Sequence, residues 1–137
     1  MKLILSLIAL LCLMTTLTIE SGPVSAQEDT IKFEDKKWKI TSVGDHTGRH
    51  LGFITFNNGQ LEGQSTCNLY SAVYELKPDQ AIKINRVAVS QLICKAGNKM
   101  QIEEDYIAGL EAVSHYKFED DTLILLKSDK SEIARFK

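Results

Sequence analysis

Two histidines four residues apart, in the stretch DHTGRH, are the pair in this 137-residue chain whose spacing most resembles a metal or acid–base site. On a helix, His46 and His50 would present both rings to one side, with Asp45 beside them. Gly48 and the turn-forming residues around it oppose a helix, so the stretch reads as a solvated loop. His115 stands next to Tyr116 at the start of an extended segment and reads as a rim residue rather than a base. Ser65, Ser71, Ser90 and Ser114 lack the G-x-S-x-G elbow that would make one of them a nucleophile. The acidic groups Glu103 to Asp105 and Glu119 to Asp121 lack the alternating oxygen ligands and glycine turn of a calcium loop. No glycine-rich phosphate loop follows an extended segment. The residue chemistry points away from catalysis, and no metal or cofactor is expected.

The cysteines carry a different chemistry. Cys12 falls within LILSLIALLCLMTTLTI, an apolar or hydroxyl run that follows Lys2. Gly22 and Pro23 break that run, and Val24-Ser25-Ala26 offers the small residues a signal peptidase reads. Cleavage after Ala26 divides the chain into a signal peptide, 1–26, and a single domain, 27–137. An uncleaved anchor is the competing reading, since the run is near the ~17-residue lower limit for a membrane span. Leu10 and Leu11 precede Cys12, where a lipid-attachment site needs a small residue, so no lipid anchor is expected. The mature chain then keeps Cys67 and Cys94. An even count in an oxidising compartment points to a disulfide between them, against two separate buried thiols. Neither has a C-x-x-C partner or a histidine at ligand spacing. The expected location is the periplasm or the exterior.

These residues need elements to position them. KWKITSV alternates, putting Trp38 and Ile40 on one face and Lys39 and Thr41 on the other. LGFITF and QLEGQ flank Asn57-Asn58-Gly59, a hairpin signal because Asn and Gly tolerate positive φ. YSAVYEL and AIKINRVAV follow, separated by Pro78-Asp79. HYKFE, TLILLK and EIARF make the closing strands, the first two around Asp120-Asp121. One helix is expected, over Lys99 to Val113, with Met100, Ile102, Tyr106, Ile107, Leu110 and Val113 forming an apolar stripe. Asn98 caps it in this reading, Gln101 completes the cap, and Glu103, Glu104 and Asp105 complement the positive helix end. Gly109 inside the helix signals close packing. Strands joined by short turns give an antiparallel sheet, hence an α+β fold.

Charge narrows the partners. The net charge is −2, and both signs are scattered along the chain without a basic block, which argues against nucleic acid or anionic membrane. Trp38, ITFNNGQLEG, TCNLYSAVYEL, SQLIC, MQIEEDYIAGLEAVSHY and DTLILL follow in the order and spacing of the META/HslJ domain family, which this chain resembles over nearly all of its mature length. It departs from that pattern where Thr66 and Ala72 replace glycines and Ser90 replaces a threonine. The resemblance implies a small, strongly curved, barrel-like antiparallel sheet around one helix, an envelope setting linked to stress, and no established catalytic residues. On this reading the protein is a monomeric, non-enzymatic binding module for an unidentified envelope protein or component. The alternative is a small-molecule or lipid carrier with a cavity between sheet and helix. Asn68, Tyr70 and Tyr74 are the motif residues offered as turn formers and contacts.

Overall fold

The computed structural model describes residues 24–34, 36–92, 94–95 and 97–137. The apolar run and Cys12 lie outside them. The elements are α1 (Val24–Glu34), β1 (Trp38–Val43), β2 (His46–Thr47), β3 (Phe53–Asn57), β4 (Gln60–Gln64), β5 (Leu69–Lys77), β6 (Ala81–Val89), α2 (Lys99–Ala112), β7 (His115–Glu119), β8 (Thr122–Leu126) and β9 (Glu132–Phe136). All strand pairings are antiparallel, in the order β2-β1-β3-β4-β5-β6-β7-β8-β9, and β1 also pairs with β9, closing a ring. The short β2 occupies the DHTGRH segment that the sequence reads as loop, pairing Thr47 with Ser42 and His46 with Val43. None of the described helices is long and apolar enough to cross a membrane.

Local chemistry sets the turns. Asn58 (φ 48°) and Gly59 (φ 81°) hold the β3–β4 hairpin in the left-handed region, as the Asn-Gly pair requires. Register shifts lie in β5–β6, β8–β9 and β1–β9. Such bulges bend strands and add twist, which lets a short sheet curl onto itself. Alternation then puts Trp38, Ile40, Ile54, Phe56, Leu61, Tyr70, Ala72 and Tyr74 inside. Phe53 is half-buried, because period-2 alternation with the buried Ile54 turns it outward.

The ring is weakest between β6 and β7, which share one residue pair, Ala81↔His115. The chain between those strands forms α2, which packs on β6, β9 and β1. Its Ile102, Tyr106 and Leu110 are buried, Leu110 completely. Met100 and Ile107, at the margins of the stripe, are half-buried. Gly109 faces Ile133, where an added Cβ would lie 2.3 Å from a methyl carbon, so the glycine admits the close approach of α2 to β9.

Among the described residues there are two helices, where the sequence reading expects one. α1 places Phe33, fully buried, into the other end of the ring, with ring centroids 4.7 Å from Phe56 and 4.7 Å from Tyr116. Trp38 Nε1 donates to the Phe33 carbonyl at 3.0 Å. Glu34 accepts from Tyr74 Oη at 2.7 Å and from the Asn58 amide at 2.6 Å, while Asp29 accepts from Tyr116 Oη at 2.7 Å. The expected cleavage after Ala26 falls in the first turn of α1 and leaves every one of these anchors on the downstream side.

Candidate functional site

The Cys-Asn turn joins β4 to β5 and is built around a buried carboxylate. Among the described residues, Ser65, Asn68 and Glu103 are the buried polar or charged ones, each 5% exposed or less. The Asn68 amide donates to Glu103 Oε2 at 2.7 Å, and Asn68 Nδ2 and Ser65 Oγ donate to the same carboxylate. The Cys67 amide adds a further bond. Burial works to raise the Glu103 carboxyl, but these donors outweigh it and hold the group below the ordinary carboxylate value of 4.5. Glu103 follows the phase of Tyr106 and Leu110, three and seven residues later, and so shares their inward face. The expectation that it complements the helix dipole is corrected here: its charge is committed to the turn.

Asn68 fastens the other side of the loop. Its Oδ1 accepts from the Leu92 amide at 2.7 Å and from Ser90 Oγ at 2.9 Å, and its Nδ2 also donates to the Leu92 carbonyl at 3.2 Å. Ser90 Oγ accepts in turn from the Leu69 amide at 3.1 Å. Thr66, where the related pattern has glycine, donates to the Lys99 carbonyl at 2.6 Å, and its backbone avoids the left-handed region. Cys67 and Cys94 are bonded, with Cα atoms 5.8 Å apart. The bridge, Asn68 and Glu103 together tie β4, the segment after β6 and the start of α2 into one knot. Asn98 precedes α2 as expected but makes no side-chain cap bond, and Gln101 bonds Asp105 instead of closing a cap.

Tyr70 and Tyr74 are inward as well. Tyr70 Oη shares a 2.7 Å hydrogen bond with Tyr106 Oη and donates to the Phe53 carbonyl at 3.0 Å. Burial raises both phenols well above their usual range, with Tyr70 adding to the effect on Tyr106. Gly63 makes room for this pair, since a Cβ there would lie 2.4 Å from Tyr70 Oη. Asn68, Tyr70 and Tyr74 are 2%, 3% and 8% exposed, so they form the turn and core and offer no outward contact. Among the described residues, the large hydrophobic side chains left exposed are Leu69, 60% exposed, and Leu92, 62% exposed, both beside the knot. Beside Leu69 lies an open depression of about 520 Å³, with Phe53, Ala88 and Val89 in its lining.

His46 and His50 border one depression with Asp45, and His115 opens β7. His46 approaches Asp105 at 3.7 Å, His115 Nδ1 shares a 2.8 Å bond with Ser114, and His50 lies in the loop before β3. Among the described residues, no group of three or more His, Cys, Asp or Glu side chains converges on a possible metal position.

The META domain family model matches residues 29–137. No curated protein matches the chain. A structure solved by NMR is similar with a TM-score of 0.65 at 15% identity, covering 79% of this chain and 92% of its own. An NMR structure of a protein from Burkholderia xenovorans has a TM-score of 0.60 at 19% identity, covering 80% and 86%. The crystal structure of a DUF4847 family protein from Bacteroides vulgatus ATCC 8482 has a TM-score of 0.56 at 14% identity, covering 76% and 92%. At such identities the likeness concerns the fold alone.

Proposed function

Since the chain belongs to the META domain family, we propose that it is a non-enzymatic binding module of the bacterial envelope, exported as a soluble protein, that holds a partner protein at its Leu69–Leu92 face. The observation that carries this reading is a pair of exposed leucines, Leu69 at the start of β5 and Leu92 after β6, both beside the immobilised Cys-Asn turn. The knot of Cys67–Cys94, Asn68 and Glu103 fixes the backbone on which both leucines stand. A preorganised apolar contact loses little entropy on association, which is what a docking surface needs. The neighbouring depression, with Phe53 and Val89, suits an apolar side chain from the partner.

The interior supports a binder over a carrier. Phe33 fills one end of the ring and Leu110 and Tyr106 pack beneath α2, all at 1% exposure or less. Export is supported by the Lys2-led apolar run, by Val24-Ser25-Ala26 and by the bridge, which belongs to an oxidising compartment. Native mass spectrometry of protein purified from its own envelope fraction tests the whole reading. The expected species is the chain from about Gln27 in complex with a second polypeptide, lost in the Leu69→Ser/Leu92→Ser variant. A retained lipid would favour the carrier, and an intact Met1 in the membrane fraction would reject export.

A further inference from the structure

Basic side chains from three separate stretches meet at one cleft, which Ser65 and Thr66 of the Cys-Asn turn also line. The cleft lies where β1 and β3 part after the pairs Trp38↔Ile54 and Lys39↔Phe53, and it holds about 650 Å³. Lys37 and Lys39 come from the start of β1, Arg49 and His50 from the loop after β2, and Lys99 from the first residue of α2. All five are exposed. Among the described residues, no carboxylate lines this cleft. Among the described residues, none lies within ion-pair distance of Lys37, Lys39, Arg49 or Lys99. Elsewhere on the surface Lys77, Lys117, Arg135 and Lys137 do have carboxylate partners.

The placement is enforced. Gly52 (φ 114°) sits against the Gln64 carbonyl, which a Cβ would strike at 1.9 Å, so the loop carrying Arg49 and His50 is drawn onto the end of β4. Thr66 bonds the Lys99 carbonyl at 2.6 Å and fixes the start of α2 to the same rim. Lys37 rests over the Phe53 ring, 3.5 Å from its centroid. Two carboxylates are nearby. Glu103 lies beneath Ser65 and is saturated by donors of the turn, and Asp45 borders the adjoining depression that shares Arg49, His50 and Lys99. Four unpaired cations around one concavity repel one another, and a bound anion relieves that repulsion.

We propose that this cleft binds a small anionic ligand bearing two phosphate groups. Each phosphate ester carries about −1.5 to −2 charges at neutral pH, so two balance four cations where a carboxylate would balance one. Arg49 supplies the planar fork that meets phosphate oxygens in pairs, and the lysines supply point charges. The volume falls within the roughly 300–1,000 Å³ of small-ligand sites and exceeds what a single ion fills. This assignment is independent of the Leu69–Leu92 reading.

The test is a titration of the mature protein with inorganic pyrophosphate, followed by amide chemical shifts and calorimetry, with acetate as the monovalent comparison. Saturable binding is expected, with shifts at Arg49, His50 and Lys99. The Lys39→Gln/Arg49→Gln variant is expected to bind at least about tenfold more weakly, the loss of charge-assisted bonds. Lys83→Gln/Lys127→Gln, on exposed positions away from the cleft, is expected to bind as the parent does. Unchanged melting temperatures establish that both variants fold. Absence of saturable binding, equal losses in both variants, or acetate binding as tightly as pyrophosphate would overturn the proposal. Phosphatidylcholine vesicles with and without an acidic lipid whose headgroup carries two phosphate groups identify the source of the phosphates. Sedimentation with the acidic vesicles that Lys39→Gln/Arg49→Gln abolishes assigns it to a lipid headgroup, and pyrophosphate binding without sedimentation assigns it to a free bisphosphate.

Discussion

Glu103 is the residue on which the Cys-Asn turn depends. Its carboxylate accepts from the Asn68 amide, Asn68 Nδ2, Ser65 Oγ and the Cys67 amide, at 5% exposure. Glutamine would keep one acceptor and turn an NH2 group toward donors that already point inward. Hydrogen bonds to a charged group contribute about 1.5–3 kcal/mol each, so Glu103→Gln should cost about 2–4 kcal/mol after local adjustment. The pH dependence has a definite sign. The folded carboxyl titrates below its ordinary 4.5, so its stabilisation is complete above that value and is lost as pH falls through the lower folded value. Urea denaturation across this range should show the parent losing stability with acid and Glu103→Gln losing less. Equal slopes would mean that Glu103 carries no charge in the fold. The sequence held the signal, since Glu103 interrupts an apolar stripe in phase with Tyr106 and Leu110. Its proximity to the end of a helix drew the simpler dipole explanation.

At the scale of elements, α1 is the part that sequence pattern did not disclose. VSAQEDTIKFE has no sustained apolar stripe, and its first three residues read as a processing site. Its role rests on one aromatic ring and two carboxylates, whose partners lie far along the chain: Phe33 against Phe56, Tyr116 and Phe118, and Asp29 bonded to Tyr116. Phe33→Ala should therefore cost about 3–5 kcal/mol, the usual loss for a fully buried phenylalanine. Chemical denaturation of the mature chain measures this, and a loss under about 0.5 kcal/mol would place Phe33 on the surface. The strands were legible for the opposite reason. Alternation, Asn58-Gly59 and Asp120-Asp121 are local signals, and β3, β4, β7 and β8 formed around them.

For the molecule as a whole, the Cys67–Cys94 bridge closes 27 residues that include β5 and β6, the pair where the ring is most extensively hydrogen-bonded. Chain entropy gives such a loop about 3–4 kcal/mol of stabilisation. That is a large share of the roughly 5–15 kcal/mol a domain of this size retains. Thiol counting on the unfolded, unreduced mature protein should find no free thiol. Reductant should lower the melting temperature by roughly ten degrees or more, since about 1 kcal/mol corresponds to some 4–8 °C in a small domain. Two free thiols in the unreduced chain would remove the bridge.

The antiparallel strands, the hairpins and the stripe of α2 were legible in the sequence itself, because each is a matter of spacing within some twenty residues. Tertiary structure decided what depends on which distant segments meet. It turned Asn68, Tyr70 and Tyr74 inward and left Leu69 and Leu92 outside. It committed Glu103 to a turn 35 residues earlier in the chain. And it gathered Lys37, Lys39, Arg49 and Lys99, from three separate stretches of the chain, into one cleft. Charge patterning read along a sequence averages over exactly the distances that folding removes, so a basic site made of single residues from three elements becomes visible only once the ring has closed.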